Sequence, residues 1–145
     1  MPDLRGPRTG TGLLILRVTL GVLFFAHGYQ KLVTIGLPEM QVGFMKYHIP
    51  FPGVAAIFVT FLELLGGAAL VLGLFTRILG LLFAVEMLVA IFAVHITHGL
   101  VGPGSVELPL IFCAASAVLA LSGAGIASLD RRIGRGRVRV GTLPW

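Results

Sequence analysis

The chain has 145 residues, of which 57% are hydrophobic and 12% are charged, and its formal net charge is +5. The mean hydropathy of +0.99 is too high for an ordinary soluble domain of this length, so the composition predicts a single membrane domain over residues 1–145. The one cysteine, Cys113, excludes an internal disulfide and makes dithiol redox chemistry by this chain alone an unfavoured interpretation.

Four apolar runs are candidates for crossing a bilayer, whose core of about 30 Å takes about 20 helical residues. In chain order they cover residues 13–33, 53–75, 78–96 and 107–122. The first run continues through His27, Gly28 and Lys31 where a signal peptide would be cleaved, so it is predicted to be a retained span. The predicted fold class is all-α, a bundle of four transmembrane helices.

The connections between these runs differ in composition. Residues 34–52 contain three prolines, so the first helix is not expected to continue through them, and their aromatic residues suit the membrane surface. A tight turn is predicted around Thr76 and Arg77. Residues 98–105 are rich in glycine, which predicts a loop.

The basic residues predict the orientation of the chain, because arginine and lysine resist translocation. Four crossings place most of them on one side, namely Arg5, Arg8, Arg77, Arg131, Arg132, Arg135, Arg137 and Arg139. The other side has Lys31 and Lys46. Both termini, with tails over residues 1–12 and 123–145, are therefore predicted to be cytoplasmic. The lipid bilayer is the expected partner of the basic tail, and nucleic-acid binding is not expected.

One face of the first span combines small and ionisable residues. At 100° per residue this face contains Arg17, Gly21, Phe24, Gly28 and Lys31. Gly66 and Gly67 lie in the second span. Because small residues allow helices to approach closely in lipid, we predict that this face is buried in the bundle.

Two glutamates are predicted near the middle of the membrane, since Glu63 and Glu86 each lie about 14 to 15 Å along their helices. An ionisable group at this depth costs about 2.5 to 3.5 kcal/mol on insertion scales, so it is expected to have partners. The two carboxyl groups are expected either to share a proton or to be neutralised by cations such as Arg17 and Lys31. A purely structural role for these pairs is the alternative interpretation.

A second expectation is a polar pocket near the outer end of the spans. Its candidate members are His27, Lys31, His95, His98 and Glu107. Such a pocket has the groups to hydrogen-bond a quinone carbonyl, to bind a metal or to ligate a haem through two imidazoles. The alternative is that His95 and His98 are interfacial or capping residues, and we predict no metal site.

The whole pattern resembles the DoxX family of small bacterial four-span membrane proteins. The residues that carry the resemblance are Arg17, Leu20-Gly21, His27-Gly28, Lys31-Leu32, Phe51-Pro52, Glu63-Leu64-Leu65-Gly66-Gly67, Gly73-Leu74-Phe75-Thr76-Arg77, Glu86-Met87 and Ser128-Leu129-Asp130. They extend over about residues 13–132. The resemblance implies a multi-pass protein of the bacterial cytoplasmic membrane that is associated with quinone-linked and other membrane oxidoreductase systems. It also implies that Arg17, His27, Lys31, Glu63 and Glu86 are intramembrane polar positions of the family.

The leading functional hypothesis is a membrane subunit of an oxidoreductase system that binds quinone or recruits soluble redox enzymes. A small proton-coupled transporter with Glu63 or Glu86 as proton carrier is an alternative, and so is a structural accessory subunit of a larger complex. Redox-complex subunits or further copies of the chain are the candidate protein partners. A self-sufficient redox enzyme is least favoured, because the chain lacks a dinucleotide fingerprint and a set of cluster-binding cysteines. Quinone is the one candidate cofactor.

Overall fold

The computed structural model describes residues 7–137, with side chains described for residues 8–133. All regular structure in this part of the chain is helical, which confirms the all-α prediction there. It contains three helical stretches long and apolar enough to cross a membrane, Arg8–Ile35, Pro52–Leu72 and Thr76–His98, and a shorter apolar helix, Glu107–Ser122. Arg5, Arg139 and the outer parts of both predicted tails lie outside the described residues, as do the side chains of Arg135 and Arg137.

The first long stretch begins with helix α1, Pro7–Tyr29, and continues as a π-helical segment, Gln30–Ile35. It ends where Gly36 takes a φ of +87°. A separate helix α2, Leu37–Lys46, follows within the connection that prolines were expected to interrupt. Pro38 lies in its first turn, where the fixed φ of proline suits a helix start.

The second and third long stretches each contain a π-helical turn as well. The second consists of α3 (Pro52–Phe61), a π-helical turn (Leu62–Gly66) and α4 (Gly67–Leu72). The third consists of α5 (Thr76–Ala90), a π-helical turn (Ile91–His95) and a 3₁₀ turn (Ile96–His98). The shorter apolar helix is α6 (Glu107–Ser122), and α7 (Leu129–Arg137) lies in the region predicted only as a tail.

The turn between α4 and α5 lies at Gly73–Phe75, ahead of the predicted Thr76 and Arg77. Gly73 and Phe75 have φ values of +73° and +51°. The carboxylate of Asp130 accepts hydrogen bonds from the backbone N–H groups of Phe75 (2.8 Å) and Thr76 (2.9 Å). Because this carboxylate satisfies donors at the helix N-terminus, α5 begins at Thr76.

Helix α1 is central to the packing: it contacts the Leu62–Leu72 half of the second stretch and also α6, while α5 packs mainly on α6. Glycine allows the closest approaches. A Cβ atom on Gly28 would lie 2.8 Å from Leu64 Cα, and one on Gly21 would lie 2.8 Å from the carbonyl oxygen of Gly67. The predicted burial of this face is confirmed, since Arg17, Gly21, Phe24 and Gly28 are buried and Lys31 is partly buried.

The core contains a stack of aromatic rings that joins α1, α5 and α6. The rings of Phe24 and Phe83 stack with centroids 3.8 Å apart, and the ring of Phe112 lies 5.3 Å from that of Phe24. Phe24, Phe83, Leu70 and Leu119 have no solvent exposure. We call the end of the molecule that carries α2 the α2 end and the opposite end the α7 end.

Candidate functional site

Lys31 and Glu63 form an ion pair between the first and second long stretches. The Nζ atom of Lys31 lies 2.6 Å from Oε2 of Glu63, and the two side chains are 20% and 3% exposed. Both residues lie on π-helical turns. A π-helical turn is rare and is frequently found at functional sites. The pair is therefore positioned by two local departures from α-helical geometry.

The close approach of the two helices at Gly28 explains why the side chains of Lys31 and Glu63 meet. Gly28 packs on the backbone of Glu63 and Leu64, so the main chains of the two helices are in contact at that level. Lys31 lies about one turn further along the first stretch, toward the α2 end. From there its long side chain can reach back to the Glu63 carboxylate while part of its stem remains exposed.

Glu86 of α5 brings a second carboxyl group to this ion pair. Glu86 interacts electrostatically with both Glu63 and Lys31. Its two carboxyl oxygens are shielded from solvent, and the carboxyl group of Glu63 is the hydrogen-bonding group of the described chain that approaches them. Ionised carboxylates only accept hydrogen bonds, so Glu63 and Glu86 can be joined only through a proton or an external donor. We refer to Lys31, Glu63 and Glu86 as the carboxyl cluster.

The sequence analysis missed Thr60, a buried hydroxyl residue close in sequence to Glu63. Thr60 lies one turn before Glu63 on the same helix face and has no solvent exposure. Its hydroxyl has no hydrogen-bond partner in the described chain. The spacing from Glu63 was the available signal, but a lone threonine in an apolar helix usually bonds to its own backbone.

Arg17 does not join the carboxyl cluster, which corrects the expectation that it neutralises Glu63 or Glu86. It is 1% exposed, and its guanidinium group donates hydrogen bonds to the carbonyl oxygens of Ala124 (2.8 Å) and Ala127 (3.1 Å). The reason is axial distance: Arg17 and Lys31 share a helix face, but their 14-residue separation corresponds to about 21 Å. The aromatic stack lies between them.

Arg17 instead belongs to a second polar cluster at the α7 end. Its guanidinium group packs against Gly73, and the backbone N–H of Asp130 donates to the carbonyl of Gly73 (2.9 Å). The Asp130 side chain accepts the two hydrogen bonds at the start of α5. This network connects α1, the α4–α5 turn and the segment before α7, so we call it the α7-end clasp and assign it a structural role.

Removing the Asp130 carboxylate is expected to destabilise the fold. Asp130→Ala leaves the N–H groups of Phe75 and Thr76 without their acceptor, and loss of a helix N-cap costs about 0.5 to 2 kcal/mol. Reversible unfolding in mixed detergent micelles measures this loss. The control is Glu39→Ala, because Glu39 is exposed in the first turn of α2 and makes no hydrogen bond in the described chain. Equal stability of the two variants would contradict the capping role.

Within the part of the chain that the structure describes, no hydrogen bond or ion pair joins two members of the predicted five-residue pocket. The Nδ1 atoms of His27 and His95 lie 2.8 Å from carbonyl oxygens of their own helical stretches, those of Leu23 and Ala90. The side chains of His98 and Glu107 are exposed. Among the described residues, no group of three or more histidine, cysteine, aspartate or glutamate side chains is placed to hold a metal ion. Of the five candidates, Lys31 is the one that the structure brings together with Glu63 and Glu86.

Comparison with known proteins identifies the family. Residues 12–96 match the DoxX family. The chain belongs to the DoxX family. It is 33% identical over 126 residues to "Putative oxidoreductase CatD" of Bacillus subtilis, covering 87% of this chain and 90% of that protein. It is 32% identical over 126 residues to "Inner membrane protein YphA" of Escherichia coli, covering 83% and 89%. No solved structure matches it.

Membership of the DoxX family confirms the resemblance found in the sequence. Together with the apolar helices, it means that the protein contacts a lipid bilayer. Large apolar side chains are exposed along the long stretches, among them Ile15, Phe58 and Phe92, as expected for helix faces in lipid. The inner-membrane relative supports a location in the bacterial inner membrane.

Proposed function

We propose that this DoxX family protein is a membrane subunit of an oxidoreductase system and that it binds a quinone headgroup at the carboxyl cluster. The observation that carries the proposal is the buried ion pair of Lys31 and Glu63 next to the solvent-shielded carboxyl group of Glu86. Ionisable groups inside a membrane protein are costly and usually serve function. A relative bears the name of an oxidoreductase, which favours redox chemistry over other uses of such a site.

The chemistry of the carboxyl cluster suits proton handling at a quinone. The ammonium group of Lys31 is a hydrogen-bond donor for a ring carbonyl, and the carboxyl groups of Glu63 and Glu86 can exchange protons with ring hydroxyls. The described residues offer no side chain that carries electrons, so the electrons belong to the quinone and to a redox partner. The protein would bind and orient the ligand and move its protons.

An apolar groove on α3 offers a place for the tail of such a ligand. The groove has a volume of about 470 Å³ and is lined by Val54, Ile57, Phe58, Phe61 and Leu62. The groove lies on the exposed face of α3, and its last lining residue, Leu62, directly precedes Glu63 in sequence. A membrane quinone combines a polar headgroup with an apolar chain. The second stretch likewise combines a polar carboxyl cluster with an apolar groove.

We further propose that α6 is a fourth crossing and that the α7 end faces the cytoplasm. At 1.5 Å per residue the 16 residues of α6 extend about 24 Å, which a locally thinned bilayer accommodates. Arg8, Arg77, Arg131 and Arg132 belong to the α7 end, as the positive-inside rule requires for a cytoplasmic face. The carboxyl cluster would then lie in the outer half of the membrane.

Quinone binding by purified protein in lipid nanodiscs tests the proposed function. We expect decylubiquinone, in one or both of its redox forms, to bind the wild-type protein. We expect Lys31→Met and Glu86→Gln to weaken binding at least tenfold, because a hydrogen bond to a charged group contributes about 1.5 to 3 kcal/mol. Lys46→Met and Glu107→Gln change exposed residues of the same types and should bind as wild type. Unchanged affinity in both cluster variants, each verified as folded, would refute the proposal.

A further inference from the structure

We propose that the α7 end carries a binding site for the headgroup of an anionic phospholipid, formed by Arg77 of α5 together with Arg131 and Arg132 of α7. The sequence predicted only general contact between the basic tail and the bilayer, whereas the structure adds an arginine from a distant part of the chain. The site goes beyond the proposed function, because it lies at the opposite end of the bundle from the carboxyl cluster and takes a different ligand.

The α7-end clasp brings Arg77 close to the first turn of α7. The Asp130 carboxylate accepts a hydrogen bond from the backbone N–H of Thr76 at 2.9 Å. Arg77 and Arg131 directly follow these two residues in the chain, so their Cα atoms lie within about 15 Å of each other. The Arg77 side chain lies over Gly123, where a Cβ atom would be 3.2 Å from its Nε atom. Arginines from two distant segments therefore meet at one end of the bundle.

The positive charge of these arginines is not neutralised within the described chain. The side chains of Arg77, Arg131 and Arg132 are exposed, and no ion pair of the described residues includes them. The neighbouring carboxylate, that of Asp130, is engaged by the two backbone N–H groups at the start of α5. A guanidinium group binds phosphate oxygens through parallel hydrogen bonds, so the phosphate of a lipid headgroup matches this charge.

Exposed apolar side chains beside the arginines favour a lipid over an acidic protein as the occupant. Phe75, two residues before Arg77, is 65% exposed. Leu121 in the last turn of α6 is 81% exposed, and Ile133 of α7 is 57% exposed. Arginines interleaved with exposed apolar residues at the ends of apolar helices are typical of the boundary between lipid headgroups and acyl chains. A phospholipid supplies both the phosphate and the acyl chains that this surface requires.

Native mass spectrometry tests the proposal on protein from micelles that contain equal amounts of phosphatidylglycerol and phosphatidylcholine. We expect the protein to retain phosphatidylglycerol with at least a tenfold preference. Arg77→Gln and Arg131→Gln should each reduce this preference about fivefold, the contribution typical of one basic residue at an anionic lipid surface. Both positions are exposed, so the variants should fold as wild type. Lys46→Gln removes an exposed cation at the α2 end and should keep the wild-type preference.

Three results would overturn the proposal. Equal retention of the two lipids by the wild-type protein would leave the arginines to another occupant, such as an acidic protein. An undiminished preference in the double variant Arg77→Gln with Arg131→Gln would place the lipid elsewhere. A loss in Lys46→Gln as large as in Arg77→Gln would show that net charge, and not a site at the α7 end, attracts the lipid. Quinone binding should be the same in Arg77→Gln as in wild type, so this test is independent of the proposed function.

Discussion

Gly28→Leu is expected to prevent formation of the native helix packing and to abolish ligand binding at the carboxyl cluster. A Cβ atom at Gly28 would lie 2.8 Å from Leu64 Cα and 2.9 Å from the carbonyl carbon of Glu63. These are main-chain atoms of a packed helix, so the two stretches must separate to admit any side chain. Separation at this level also pulls Lys31 away from Glu63.

A graded series at Gly28 makes this prediction quantitative. Overpacking a tight contact typically costs about 1 to 3 kcal/mol, so Gly28→Ala should lose about 3 kcal/mol, with a larger loss for leucine. Unfolding in mixed micelles and the yield of monodisperse protein measure the effect. Gly12→Ala is the matched control in the same helix, because nothing lies within 4 Å of a Cβ atom there. It should be neutral or stabilising by up to about 1 kcal/mol. Wild-type stability of Gly28→Ala would show that the two helices do not pack as described.

Lys31→Met should cause the other large loss of stability. The variant leaves the Glu63 carboxylate, which is 3% exposed, without its counter-ion and next to the carboxyl group of Glu86. Removing one member of a buried ion pair typically costs about 3 to 5 kcal/mol. Lys46→Met removes an exposed lysine and should cost far less.

A double-mutant cycle distinguishes a buried unpaired charge from a general packing defect. In the double variant Lys31→Met with Glu63→Gln, no carboxylate is left unpaired at position 63, and the new amide can donate to Glu86. We expect the double variant to recover at least about 1 kcal/mol relative to Lys31→Met, which is the size of coupling found for residues in contact. Strict additivity of the two single changes would contradict the ion pair.

The buried face of α1 was predictable because it depends on the regular 100° rotation of an α-helix. Arg17, Gly21, Phe24 and Gly28 are buried as that rotation requires. The same rotation gave a misleading expectation for Arg17, since residues on one face can be many turns apart and can meet different partners. The direction in which each residue of α1 faces was therefore predictable from the sequence, whereas the partner that each residue contacts was not.

The carboxyl cluster depends on features that α-helical periodicity does not contain. Lys31 and Glu63 lie on π-helical turns, in which an extra residue per turn changes the direction of each side chain. The cost of burying charge was the reason to expect a cation near the two glutamates. The close contact at Gly28 is the reason that this cation is Lys31 in the structure. Thr60 carried no signal that separated it from an ordinary helical threonine.

Long-range contacts account for the remaining differences. The start of α5 depends on Asp130, which lies more than fifty residues further along the chain, so the local sequence around Thr76 could not fix the turn. The rings of His27 and His95 contact backbone carbonyls of their own helical stretches, and the side chains of His98 and Glu107 are exposed. The family, in contrast, was evident from short motifs distributed along the chain, and the comparison confirmed it.

The stacked rings of Phe24 and Phe83 have a consequence for how charge moves through the protein. Phe83 lies one turn from Glu86 on the side of the α7 end, and neither ring has any solvent exposure. On the other side of the rings, toward the α2 end, Lys31 of the carboxyl cluster is partly exposed. In this conformation a proton that left the cluster toward the α7 end would meet a layer of aromatic rings with no polar atom to carry it, so passage in that direction would require Phe24 and Phe83 to move apart.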